Sequence, residues 1–284
     1  MGYLLGRLKK NFSRKFSFYL IKIGIPVSIT GILLKSKLQW PLIQSALIAL
    51  LAIGLLMTIL ICLPFFKDYI QNKSLILGSG FGNTGYFGIP VSLALLPKSA
   101  LVYSMGFDIG ATFVIWIVGP MMLSNSSKGF PQQSYWRNLI KTIFSSPAIK
   151  GLAGALIIWS SPWNEKITTL LWIPSRIVIL LALMIVGMRL SFLRKSNFST
   201  IKANLLSVKN ALFLKLIGLP VLMLIISSII RLPSIMRNAL VLQAAAPTAI
   251  SVLLISQAAS RDEDEATSLV VFSTISALIT IPSF

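Results

Sequence analysis

The stretch Gly82-Asn83-Thr84-Gly85-Tyr86-Phe87-Gly88-Ile89-Pro90 interrupts an otherwise apolar segment, 75–96, that also contains Gly78 and Gly80. A proline inside a helix deletes one hydrogen bond and frees the carbonyl four residues back, here that of Tyr86. A second apolar segment, 235–258, is interrupted in a similar way by Gln243, Pro247 and Thr248, and the freed carbonyl there belongs to Gln243. In hydrocarbon such groups must find partners, so irregular backbone persists only inside protein or beside a cavity. Paired interrupted helices at matching places in two halves of a chain point to a transporter's binding site.

The composition agrees with a bilayer as solvent. Of 284 residues, 55% are hydrophobic and 12% charged, against about 25% charged in ordinary soluble domains. Nine apolar segments are long enough to span or nearly span: 18–34, 42–65, 75–96, 100–123, 147–159, 173–193, 211–230, 235–258 and 266–284. The fifth is the weakest, and Trp159, Trp163 and Trp172 crowd the connection after it, where an aromatic belt would lie. Residues 125–141 read as a loop, followed by a short interfacial helix over 136–144.

The net charge of +19 has a membrane explanation. With loops assigned alternately to two sides, 18 cations fall on the N-terminal side and 7 on the other. Lys215 is counted among the first set, and Lys22 is left inside a span, near its start, where it can snorkel. The positive-inside rule then makes the N-terminal side cytoplasmic and the C-terminus external. The same split removes most of the case for nucleic acid as a partner. Histidine is absent and cysteine occurs once, as Cys62. Histidine-based catalysis, internal disulfides and cysteine metal clusters are thereby excluded. With no paired intramembrane carboxylates and no Ser–Lys dyad either, the chain does not read as an enzyme.

The two interrupted segments lie five spans apart, so they cross the membrane in opposite directions. Each is followed by one more span before its half of the chain ends. This is inverted topology, with residues 1–124 as the first repeat, 125–146 as a cytoplasmic connection and 147–284 as the second. The second half has five spans and the first only four. An upstream helix is therefore expected, and Met1–Arg7 reads as its cytoplasmic tail: either the chain begins inside that helix or the helix has been lost.

At these residues the chain resembles the auxin efflux carrier family, which includes the plant PIN exporters and bacterial carriers of malonate and malate. The resemblance rests on Gly82–Pro90 and on Ala244-Ala245-Ala246-Pro247-Thr248-Ala249. Weaker matches are Ile25-Pro26, Phe107-Asp108-Ile109-Gly110 and Thr274–Pro282. It implies an all-α polytopic membrane protein of bacterial type, an inverted-repeat transporter fold of ten helices in which the fourth and ninth are broken and cross at their prolines. It also implies a homodimer. The chain departs from the family by lacking almost all of the first helix and by placing Ala111 where bacterial members often have asparagine.

Two half-helix N-termini near the midplane suit a carboxylate without help from a full positive charge. Asn83 and Thr84 are expected to donate hydrogen bonds to it, Gly82, Gly85 and Gly88 to let backbone amides approach, and Gln243 and Thr248 to act from the other half. The candidate substrate site is thus Asn83, Thr84, Gly85, Tyr86, Pro90, Gln243, Pro247 and Thr248. Asp108 is the one acid placed inside a span; the other six, Asp68, Glu165, Asp262, Glu263, Asp264 and Glu265, fall in loops. Asp108 either binds a coupling proton or sodium ion or accepts hydrogen bonds from a half-helix N-terminus. Pro26, Pro120 and Pro220 read as kinks, and the pairs Gly78/Gly82 and Gly106/Gly110 as helix-packing surfaces. The expected function is secondary transport of small organic anions by alternating access, in the inner membrane, without a cofactor. The alternative is a non-transporting receptor or a degenerate relative of such carriers.

Overall fold

The computed structural model describes residues 15–16, 18–36, 39–62, 70, 72–123, 144, 147–174, 177–178, 181 and 198–280. The N-terminal tail, nearly all of the 125–146 connection and most of the sixth predicted span lie outside these residues. Among the described residues all regular structure is helical, apart from one isolated antiparallel bridge. In chain order the α-helices are α1 (Ile25–Ser36), α2 (Trp40–Cys62), α3 (Lys73–Gly80), α4 (Ile89–Leu95), α5 (Leu101–Leu123), α6 (Pro147–Trp159), α7 (Phe198–Phe213), α8 (Leu219–Ile229), α9 (Ser234–Ala244), α10 (Ile250–Ala259) and α11 (Glu263–Thr280). Residues 164–174 are also helical.

Three described helices are long and apolar enough to cross a membrane: Trp40–Cys62, Lys98–Leu123 and Ala203–Ile229. At 1.5 Å per residue, a helix of 23 residues reaches about 34 Å, slightly more than the hydrocarbon core. On α2, Ala49, Ala52, Ile53 and Leu56 are buried while Leu47, Leu51 and Leu55 are exposed. A helix apolar on both faces packs on protein with one and on lipid with the other.

Three short π-helical turns precede prolines in the same local sequence. Leu20–Gly24, Thr84–Gly88 and Leu214–Gly218 each end in glycine, followed by Ile or Leu and then Pro26, Pro90 or Pro220. The wider turn makes room for the proline ring and absorbs the missing N–H without ending the helix. Pro120 lies within the continuous helix α5.

The break in the third segment is therefore not at Pro90. Helix α3 ends at Gly80, Phe81 is extended, and helical backbone resumes at Thr84 and runs through Pro90. The second break is where Pro247 stands: α9 ends at Ala244 and α10 starts at Ile250. The two extended peptides pair with each other. Gly82 and Thr248 form the bridge. The Asn83 N–H donates to the Pro247 carbonyl at 2.6 Å, and the Ala249 N–H to the Phe81 carbonyl at 2.9 Å. Each break thus satisfies the other, as the absence of water in hydrocarbon demands. The Gln243 carbonyl is not left free either; it accepts from the Ala246 N–H at 3.2 Å.

Thr248, fully buried, fastens this joint to its neighbours. Its hydroxyl donates to the Gly78 carbonyl at 3.1 Å and its N–H donates to the Ser273 hydroxyl at 3.0 Å. Thr248→Val keeps the shape and loses the hydroxyl, leaving a buried carbonyl short of a partner. The expected cost is about 1–2 kcal/mol, read as a lower thermal midpoint in detergent, whereas Thr248→Ser should recover most of it.

Glycine sets the helix spacing elsewhere. A Cβ at Gly106 would fall on the Leu42 carbonyl and the Ser45 hydroxyl, and one at Gly110 would lie 2.9 Å from the Ala46 carbonyl, so α5 lies directly against the α2 backbone. Gly78 likewise abuts Leu269 and Thr248. Helix α1 pairs with α6 in the same manner. A Cβ at Gly151 would lie 2.7 Å from Ile29 atoms, and the Thr30 hydroxyl reaches the carbonyls of both Pro26 and Gly151 at 2.9 Å.

Three loop assignments change. Helical backbone runs through Glu165, and Glu263, Asp264 and Glu265 form the first turn of α11, where carboxylates complement the helix dipole. Lys215 is no loop cation: it lies near the middle of the long apolar helix Ala203–Ile229 and is fully buried. That helix begins at Phe198 when α7 is included, well before the predicted boundary at 211, because Leu205, Leu206, Val208 and Ala211 continue its apolar pattern through the intervening polar residues.

Candidate functional site

The paired breaks open onto a cavity of about 80 Å³ with three walls. One wall is α1, through Ile25, Ser28 and Ile29. The second is the crossing itself, Gly82 to Gly85 from one break and Ala249 to Ser251, with Leu254, from the other. The third is α5, through Asp108, Thr112 and Trp116. Both helical segments that leave the breaks begin at this cavity, with Thr84 and Ile250 as their first residues. First-turn N–H groups, which lack intrahelical partners, and the positive ends of two helix dipoles are thus directed to one place.

Asp108 is buried at the base of one of these N-termini. Its carboxylate accepts from the Thr84 hydroxyl and from the Gly85 N–H. Gly85 favours this approach, since a Cβ there would stand a tight 3.1 Å from both carboxylate oxygens. Both partners are uncharged, so among the described residues the negative charge of an ionised Asp108 is met by dipoles. An intramembrane acid in such a setting is costly, which makes Asp108 a candidate functional position. Around it stand the side chains of Asn83, Thr84, Ser28, Thr112 and Ser251, which offer amide and hydroxyl groups of both donor and acceptor character. Carboxylate, hydroxyl and carbonyl oxygens suit a hard cation or a proton; helix N-termini and the Asn83 amide suit a carboxylate.

The structure brings Asn83, Thr84, Gly85 and Asp108 together in this cavity. Pro247 and Thr248 form the joint beneath it and do not line it. Gln243 faces a different polar cluster between α9, α4 and α5. There its Nε2 donates to the Ser92 hydroxyl at 3.2 Å, and Ser92 is hydrogen-bonded to Ser104 at 2.8 Å. The Gln243 Oε1 packs against Gly88 and is without a hydrogen-bond partner among the described residues. Pro90 lies on the exposed surface of the helix, outside the cavity. Tyr86 belongs to the π-helical turn, and its side chain is outside the described residues. Lys22 is exposed beside the Phe18 ring, at the surface and away from the cavity.

Sequence reasoning missed Ser28, Thr112, Trp116 and Ser251 as cavity residues. Each is a single small or aromatic residue in an apolar run. Ser28 stands two residues after Pro26, Thr112 next to Ala111 and Ser251 two residues after Ala249, but none carries a signal of its own.

The comparisons with known proteins agree with this architecture. The family model described as membrane transport protein matches residues 27–284. An uncharacterized transporter of Methanothermobacter thermautotrophicus is 25% identical over 216 residues, covering 76% of this chain and 68% of that protein. The family match takes in both broken helices, α5 with Asp108, and α1 from Val27 onward with Ser28, so all of the residues lining the cavity except Ile25 fall within it. The chain belongs to the membrane transport protein family, that of the auxin efflux carriers.

Proposed function

We propose that the protein is a secondary transporter of small organic anions and that the cavity at the crossed helices is its substrate and coupling site. The observation that carries this reading is the position of the cavity. It lies between α1, which pairs with α6, and the group of helices built around the crossing. Movement of the first pair against the second group would open the cavity to one side or the other, which is what alternating access requires.

The charge of Asp108 bears on coupling. An anion placed beside an ionised Asp108 in a low-dielectric site meets strong repulsion. The anion therefore travels with a cation or proton that neutralises the aspartate, or exchanges against it. The arrangement of the two broken helices supports two inverted repeats, 1–124 and 147–284. The distribution of cations supports a cytoplasmic N-terminal side in the inner membrane. The resemblance adds a homodimer.

Counterflow of labelled malate, malonate, succinate and indole-3-acetate in proteoliposomes tests the proposal. One of these acids should exchange saturably. Asn83→Ala removes an amide from the cavity wall and should raise the half-saturating concentration by about tenfold, the equivalent of about 1.4 kcal/mol. Saturable binding without flux would instead identify a receptor.

A further inference from the structure

Lys215 is a fully buried lysine in the middle of an apolar helix, and the cavity does not include it. Its Nζ donates to the Ala244 carbonyl at 2.6 Å. Ala244 is the last residue of α9, the half-helix that ends at the second break. A Cβ at Gly82 would lie 3.2 Å from this Nζ and 3.2 Å from the Ala246 carbonyl. The nitrogen therefore sits behind the bridge, against the C-terminal end of α9, while Asp108 lies on the cavity side beside Gly85. The helices that pack most closely on the turn carrying Lys215 are α3, α7, α8 and α11, and its Nζ touches the end of α9; among these described helices, acidic residues occur only in the first turn of α11. Its described hydrogen-bond partner is thus a backbone carbonyl and not a carboxylate.

A helix C-terminus leaves its last carbonyls without intrahelical partners and carries about −0.5 elementary charge. Inside a membrane protein the broken end must be closed by something that donates or coordinates. In discontinuous-helix transporters such ends coordinate a sodium ion or equivalent cation. We infer that the Lys215 side chain is the resident cation of this crossing: its ammonium closes the end of α9 in place of a bound metal ion, so this end requires no sodium. The π-helical turn Leu214–Gly218 is what aims it there, since the extra residue of the wide turn re-sets the face that Lys215 presents. Gly82 provides the space, because a Cβ at that position would stand only 3.2 Å from both the Nζ and the Ala246 carbonyl. The inference does not depend on the identity of the transported molecule.

The experiment measures thermal unfolding of the full chain in nanodiscs at constant ionic strength, in choline, tetramethylammonium or ethylammonium chloride. Lys215→Ala leaves a channel the length of the lost side chain, and Lys215→Met fills it without charge. Both should unfold about 5 °C or more below the unsubstituted protein. Ethylammonium, and not tetramethylammonium, should restore part of the loss in Lys215→Ala and none in Lys215→Met. A Lys215→Met protein as stable as the parent would overturn the inference, as would equal effects of the two organic cations on Lys215→Ala. Should both variants fail to fold, lysine-Nζ ¹⁵N NMR of the parent protein decides. With Lys215→Arg as the assignment control, a charged ammonium resonance at neutral pH supports the inference and a neutral amine contradicts it.

Discussion

Asp108→Leu is expected to abolish counterflow, by at least about 100-fold, in protein that still extracts and runs as a single species. Leucine keeps the branching and the number of side-chain heavy atoms of aspartate, with bulkier methyl groups in place of the two oxygens. What it removes is the acceptor of the Thr84 hydroxyl and the Gly85 N–H. Hydrogen bonds to a charged group are worth about 1.5–3 kcal/mol each, and losing two of them leaves the start of the helical segment at Thr84 unanchored where the substrate must bind. Asp108→Asn separates charge from shape. It retains an acceptor oxygen, so the half-helix should stay in place, but it cannot be neutralised by a proton or bind a cation as a carboxylate does. Exchange of the anion should survive at a reduced level and lose its dependence on the coupling ion. Unaltered, ion-dependent uptake by both variants would remove Asp108 from the mechanism.

The second large effect concerns the fold. Gly106→Leu should prevent recovery of monodisperse protein. A Cβ at this position falls on the Leu42 carbonyl and the Ser45 hydroxyl. The carbonyl is backbone of α2, which cannot rotate away, so the two helices must separate along the whole contact that positions Asp108. Overpacking in a closed core costs about 1–3 kcal/mol when side chains can yield, and more is expected where only backbone is available. Gly54→Leu is the control. Gly54 lies on α2 with nothing within 4 Å of a Cβ, and its substitution should leave yield and thermal midpoint unchanged. Equal loss in both would mean that glycine is required for flexibility or insertion and not for close approach.

The residues that were legible in the sequence are those whose chemistry is local. Gly82, Asn83 and Pro247 announce irregular backbone in an apolar run, because each disfavours a continuous helix without regard to context. That the two broken helices cross was implied only by resemblance, which put the crossing at their prolines; the pairing through Gly82 and Thr248 comes from the structure. The error has a physical cause. A proline is the stronger helix breaker in isolation, but after Gly88-Ile89 a π-helical turn absorbs it, and the same solution recurs before Pro26 and Pro220. Asp108 was legible as an acid inside a long apolar segment. Lys215 was not, although it lies inside the predicted span 211–230. It follows Lys202 and Lys209 and stands near the predicted start of that span, where snorkelling to the surface is the default. Once the helix begins at Phe198, Lys215 moves to its middle and no longer reaches an interface. Gln243 was legible as a buried polar residue, but the side of the crossing it faces depends on the packing of α4 and α5 around Gly88, which no local pattern encodes.

The central claim is that the cavity at the crossing is reached alternately from the two sides of the membrane. Ser251 lines that cavity and is partly accessible, and the one native thiol, Cys62, is exposed. A Cys62→Ser, Ser251→Cys protein in oriented membrane vesicles provides the measurement: labelling of the introduced thiol by a membrane-impermeant reagent added from one side or the other. The account predicts labelling from both sides, with the transported acid and its coupling ion changing the two rates in opposite directions. Labelling from one side alone, unaffected by any acid that the protein exchanges, would contradict it.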